Sequence, residues 1–194
     1  NSLQVGENKL QGRSLFVSIP LLRVLDQSEA DAVLAHELGH FVGGDTANSA
    51  ALGPKLVQYD FYSEQMRQGG VTVIAFFLLN LYRVIFEMAL QKSSREREFA
   101  ADTVAAGLTS PQAITHSLIK VAAYASYRNE VEGKLFDQNE RHSGSLGIAQ
   151  RVALGLNEFS QSSEFVEMMR ASNVPHPFDS HPALQERMRN VGFE

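Results

Sequence analysis

Residues 36–40 read His-Glu-Leu-Gly-His, and no other stretch of the chain restricts its fold as strongly. On a helix, positions i and i+4 differ by about 40° in azimuth, so both imidazoles leave one face and can reach one metal ion. Glu37 lies beside them on the same side, near enough to meet a water at that metal without being a ligand. Two imidazoles are an incomplete set, because a catalytic zinc usually takes three protein ligands and keeps one position open. The fold must therefore bring a further donor to this helix from elsewhere. The chain has no cysteine, which removes thiolate sites, disulfide frameworks and cysteine nucleophiles and leaves His, Asp or Glu.

The other histidines are His116, His142, His176 and His181, and none forms a close His-x-x-Gly-x-x-His continuation. A carboxylate is the alternative. Glu98 and Asp102 stand at i and i+4 in Glu-Phe-Ala-Ala-Asp, which suits Glu98 as a ligand and Asp102 as acceptor for the outer N–H of a ligating histidine. Glu96 competes as the ligand, and Arg95 and Arg97 leave a plain salt-bridge reading open. Asn80, Arg83, Glu87, Gln91, Ser94 and Glu98 recur at helical spacing and form one polar stripe on an otherwise apolar helix. That stripe is either a solvated face or the lining of a cleft.

Around these motifs the pattern is mostly helical. Residues 2–5 and 14–19 are short β-prone runs that read as two strands of a hairpin, the second ended by Pro20. Asp26 and Glu29 form a capping-box pattern ahead of Ala32, Val33, Ala35 and Leu38, and Gly43-Gly44 offers a stop. Residues 46–70 are mixed and polar, with Pro54 and a Gly69-Gly70 break. A helix is expected from Val71 to about Ala106, and another from Ser110-Pro111 to about Tyr127. Residues 128–147 read as a loop, 148–170 as one or two amphipathic helices, and Pro175, Pro177 and Pro182 precede a short last helix. With 194 residues, this makes one mainly α (α+β) domain over 1–194. Seventeen basic against 22 acidic residues, with no basic cluster, exclude nucleic acid as a partner.

The chain resembles the HtpX-like and CAAX prenyl protease family of membrane-associated zinc endopeptidases, which are gluzincins. The resemblance is carried by Ala35-His36-Glu37-Leu38-Gly39-His40 after a capped helix, and by Glu98-x-x-x-Asp102. Ser180-His181-Pro182 followed by Arg187 resembles the family's late His-Pro…Arg element, and Asn1-Ser2-Leu3 with Ser14–Leu22 stands at its Asn-Ala-Phe segment and following strand. The resemblance implies a zincin-type catalytic domain with two zinc-binding helices and a small edge β-hairpin, cut from a longer membrane-anchored protein.

One Zn2+ ion would be held by His36, His40 and Glu98, with Asp102 behind a histidine. Glu37 would act as general base on a zinc-bound water, and by resemblance His181 and Arg187 would stabilise the oxyanion. Asn1, Phe16 and Ser18, along the expected edge strand, would bind an extended polypeptide substrate by main-chain hydrogen bonds. The implied substrates are membrane or misfolded proteins, and the implied location is the cytoplasmic side of a bacterial inner membrane. A proteolytically inactive, chaperone-like binding module is the alternative, although it would not need the base Glu37. An aminopeptidase would require a Gly-x-Met-Glu-Asn type motif, which is absent.

In residues 71–90, 16 of 20 side chains are apolar. At 1.5 Å per residue they would reach about 30 Å, the thickness of a bilayer core. His40 and Glu98 must meet at one ion, so a single crossing between them would part the ligands. Asp45, Lys55, Asp60, Glu64 and Arg67 leave no apolar run for a second crossing. The expectation is a helix packed on the metal-binding helix, its apolar side resting on a membrane surface or on a further part of the protein, or driving self-association.

Overall fold

The computed structural model describes residues 2–12, 14–42, 45–137, 147–172 and 179–193. It is mainly α-helical. Two strands, β1 (Ser2–Val5) and β2 (Asn8–Gln11), precede the helices α1 (Ile19–Leu22), α2 (Gln27–Val42), α3 (Asp45–Gln68) and α4 (Val73–Leu108). Then follow α5 (Pro111–Asp137), α6 (Ile148–Ser160), α7 (Ser163–Ala171) and α8 (Leu184–Asn190).

The hairpin forms between different residues than the β-prone runs suggest. β1 pairs antiparallel with β2, Val5 opposite Asn8, across the two-residue loop Gly6-Glu7. Gly6 has φ of 59°, the left-handed region that such tight loops demand and glycine adopts freely. The expected second strand at 14–19 is therefore corrected: residues 14–18 belong to no sheet, and Ile19 starts α1. Pro20 sits in the first turn of that helix, where its missing N–H removes no intrahelical bond.

The Asp26–Glu29 capping box forms as the spacing predicts. Asp26 Oδ1 accepts from the Glu29 N–H at 2.9 Å, and the Asp26 N–H donates to Glu29 Oε2 at 2.8 Å. Lys120 of α5 also donates to Glu29 Oε2, at 2.6 Å, so a buried carboxylate ties the start of α2 to α5. Ser110 Oγ accepts from the Ala113 N–H at 3.1 Å and starts α5 as expected. That helix continues ten residues past Tyr127, through the segment read as a loop. Val131 and Leu135 pack with Val152 and Leu156 of α6, while Arg128 pairs with Glu132 and Lys134 with Glu130 at i,i+4. Residues 138–146 of that segment lie outside the described residues, as do Gly43 and Gly44.

Residues 46–70 are the larger surprise, because they form α3 with Pro54 in its interior. α3 lacks a strong apolar period, and pairing with α4 supplies what its sequence does not. Tyr59 donates to the Leu79 carbonyl at 2.6 Å, Arg83 pairs with Asp60, and the Arg83 guanidinium stands 5.1 Å over the Tyr59 ring. Thr72 Oγ1 donates to the Met66 and Gly69 carbonyls and closes the turn. Arg83 of the polar stripe thus faces α3, and it also donates to Glu87 at 2.7 Å.

The first half of α4 rests on α3, whereas its contact with α2 runs through Ala101 and Ala105, near Ala32 and Ala35. The apolar side of residues 71–90 accordingly does not pack on the metal-binding helix. Ile74, Phe77, Leu78, Leu81, Tyr82 and Ile85 are each more than half exposed. α4 is long and apolar enough, by length and composition, to cross a membrane.

Replacing Asp26 by Ala removes one half of the capping box and should cost about 1 kcal/mol of unfolding free energy. Urea denaturation followed by circular dichroism measures it, and an unchanged midpoint would show that the cap contributes nothing.

Candidate metal centre

α2 and α4 carry the candidate metal donors, and small residues let the two helices touch. Ala32, Ala35, Ala101 and Ala105 are all buried between α2, α4 and α5. The close approach sets His36 and His40 of α2 against Glu98 of α4. The two Nε2 atoms lie 3.2 Å apart. Glu98 Oε2 is 3.6 Å from His36 Nε2, and Glu98 Oε1 is 3.4 Å from His40 Nε2.

These gaps test whether a metal fits. At zinc–ligand distances of ~2.0–2.1 Å, tetrahedral donors stand roughly 3.3–3.4 Å apart. The two ring nitrogens are 3.2 Å apart, each lies 3.4–3.6 Å from a different oxygen of Glu98, and one donor atom from each residue falls within 4.8 Å of the others. Two unprotonated imidazole nitrogens at 3.2 Å also repel through their lone pairs unless a proton or a cation stands between them. The donor set, two imidazoles and one carboxylate, suits a borderline ion such as zinc. Among the described residues, this is the group of His, Asp and Glu side chains able to hold a metal. Glu96 is not part of it. It is exposed and faces Lys92.

Behind the donors stands a second row. Asp102 is fully buried, with Oδ1 3.0 Å from His36 Nδ1. That contact meets the distance of a hydrogen bond but not its alignment. Arg187 of α8 donates to Asp102 through both Nε (2.7 Å) and Nη2 (2.6 Å), a bidentate fork. Burial pushes the Asp102 carboxyl up, but Arg187 and His36 outweigh it and hold the group below the usual carboxylate range. Arg187 Nη2 also lies 3.3 Å from Glu98 Oε2. Its side chain is 11% exposed, and the groups it meets are the two carboxylates of α4.

His181 comes to the rim. Its Nδ1 is 3.4 Å from Glu98 Oε2 while its side chain remains 68% exposed. Two further bonds fasten this end of the chain to α4: Arg95 donates to the Asp179 carbonyl at 2.9 Å, and Asn190 to the Phe99 carbonyl at 3.0 Å. Glu37 is half-buried and makes no hydrogen bond or ion pair with any described residue. Phe16 and Ser18 are exposed in the unpaired segment before α1, and no hydrogen bond joins them to the centre. Asn1, His142 and His176 lie outside the described residues, and His116 is exposed with its ring against Phe193. The link from Arg187 to Asp102 could not be read from spacing, since 85 residues separate the pair. Gly39 had a weak signal, a glycine inside a helical pattern that it does not end.

The sequence model of peptidase family M48 matches residues 5–192. Among similar curated relatives, a protein named Protease HtpX homolog from Thermoplasma volcanium is 33% identical over 129 residues, covering 62% of this chain and 42% of the relative. Proteins of the same name from Pyrobaculum calidifontis (26% identical, 94% of this chain, 56% of the relative) and Bacillus pumilus (24%, 98% and 59%) match over greater length. The chain spans about half the length of the curated relatives it matches. No solved structure matches. The family match runs through both helices of the centre and through His181 and Arg187, and by it the chain belongs to peptidase family M48.

Proposed function

We propose that the chain is the catalytic part of a zinc-dependent endopeptidase that hydrolyses peptide bonds of membrane or misfolded proteins. The observation that carries this reading is the triangle of His36, His40 and Glu98, whose edges fit a tetrahedral ion. These three residues would hold one zinc ion. Bound there, zinc supplies Lewis acidity, polarising a carbonyl and making water acidic near neutral pH.

The chain's own residues do the rest. Glu37 follows His36 directly and has no partner among the described residues, so its carboxylate is available to take a proton from the attacking water. It then delivers that proton to the leaving amine. His181, exposed at the rim beside Glu98, donates to the developing oxyanion. Arg187, the other residue assigned to the oxyanion by resemblance, has its guanidinium on Asp102 and Glu98, so in this reading it also positions Asp102 beside the His36 ring. A general base beside a complete donor set favours an active enzyme over a binding module. The unpaired residues 14–18, with Phe16 and Ser18 exposed, would pair with an extended substrate, and Asn1 would join them.

The exposed apolar side of α4 rests on a membrane in this reading. On the opposite side of the same helix Asn80, Arg83 and Glu87 are satisfied internally or by α3, which leaves the apolar side free to desolvate. The location is the inner membrane of a bacterium, with the centre on the cytoplasmic side.

Glu37→Gln should retain zinc and lose roughly 10²–10⁴ in proteolytic rate on an unfolded protein; equal turnover would sink the mechanism. Glu98→Ala should lower zinc content measured by mass spectrometry, whereas Glu96→Ala should leave it intact, and the reverse result would transfer the ligand role. Replacing Leu78, Leu81 and Ile85 by Gln should abolish cosedimentation with phosphatidylcholine vesicles. A parent chain that ignores vesicles and forms dimers would assign the face to a second copy instead.

A further inference from the structure

Gly39 lies in the last turn of α2, one residue before His40 and three after His36. Its backbone is ordinary helix rather than one of the positive-φ glycines, Gly6, Gly12 and Gly192. Glycine is therefore not needed there for conformation, and it is among the poorest helix formers. The reason for it lies across the helix interface. A Cβ built on Gly39 would stand 3.1 Å from Ala101 Cα and 3.3 Å from Ala101 Cβ. Both distances are below ordinary van der Waals contact, and the nearer atom is backbone, which cannot swing aside as a side chain can.

Ala101 is 2% exposed and stands three residues from Glu98 and one from Asp102. This tight contact of α2 with α4 thus falls between the histidines on one helix and the carboxylates on the other. We propose that the Gly39–Ala101 contact sets the spacing of the metal donors, making Gly39 a positioning residue for the ion. This rests on the metallopeptidase reading above. A methyl at position 39 would push the helices apart by a few tenths of an ångström. That push lengthens the His36–Glu98 and His40–Glu98 separations, now 3.6 and 3.4 Å, and leaves the His36–His40 distance within α2 unchanged. Metal–ligand distances are held to within about 0.2 Å, so such a shift is felt in affinity.

The test compares Gly39→Ala, Ala101→Gly and the double variant by chelator competition for Zn2+ and for the larger Cd2+. Gly39→Ala should weaken zinc binding about tenfold, the order expected when support of a metal ligand is disturbed, and cadmium binding less. The double variant removes the 3.3 Å contact with the Ala101 methyl but keeps the 3.1 Å contact with its backbone, so it should regain part of the parent zinc affinity. Unchanged zinc affinity in Gly39→Ala overturns the proposal. Equal loss for both metals without rescue does so too, because it would mark a general packing defect. Should Gly39→Ala fail to fold, the double variant is compared with Ala101→Gly: weaker zinc binding with a smaller loss for cadmium supports the proposal, and equal zinc affinity overturns it. A parent chain that binds no zinc would overturn the metallopeptidase reading and this one together, whereas the other failures leave that reading standing.

Discussion

Three helices that are far apart in sequence meet at one buried carboxylate, Asp102. It faces His36 of α2 on one side and takes both arms of the Arg187 fork from α8 on the other. A charge with no solvent exposure is costly unless it is paired, and pairing from two directions is what allows this one to remain ionised. The arrangement is cooperative. Removing either partner would leave Asp102 buried and half-satisfied, so His36, Asp102 and Arg187 stand or fall together. The metal donors inherit their positions from this junction, and the final turn of the chain is fastened to the same helix by Arg95 and Asn190.

The α3–α4 pair inverts the usual amphipathic order. Its polar groups face inward, where Asp60, Arg83, Glu87 and Tyr59 meet one another, and the apolar side of α4 faces out. In water this is unfavourable, because burial of apolar area contributes ~25 cal/mol per Å2 and this face forgoes it. The pairing is nonetheless specific. The Arg83–Asp60 pair is 61% exposed on its carboxylate side and contributes little energy by itself, but together with the Tyr59 bond to the Leu79 carbonyl it fixes the register of the two helices. The second half of α4 follows the ordinary rule, with Ala101 and Ala105 buried against α2. A single helix thereby joins an apolar surface to the candidate metal centre.

Where local chemistry was strong, the sequence could be read directly. The Asp26–Glu29 box, the Ser110-Pro111 start and the two halves of 148–170 each rest on interactions within a few residues, and all are present. The misreadings share a cause. Residues 14–19 have β propensity, but the tight Gly6-Glu7 loop pairs β1 with the residues immediately after it, and no partner is left for the later run. Residues 46–70 read only as mixed and polar and 128–147 as a loop, yet 45–68 and 128–137 are helical, each received by a neighbouring helix: α4 through Tyr59 and Asp60, α6 through Val131 and Leu135. Propensity is a weak prior, and tertiary contact overrode it in both places.

The sequence by itself determined the donor types and the first pair of ligands. The i,i+4 geometry of His36 and His40 is a property of any helix, and the lack of cysteine leaves only imidazole and carboxylate to complete the set. It also marked Glu98 and Asp102 as one unit by the same spacing. What the fold alone decided is the distance between those two units. Glu98 rather than Glu96 meets the histidines because α4 presents that face to α2, and the two helices come close because Gly39 and Ala101 leave nothing between their backbones. Helical periodicity fixes angles along one helix, whereas the separation between two helices depends on the side chains at their contact, and those belong to segments some 60 residues apart.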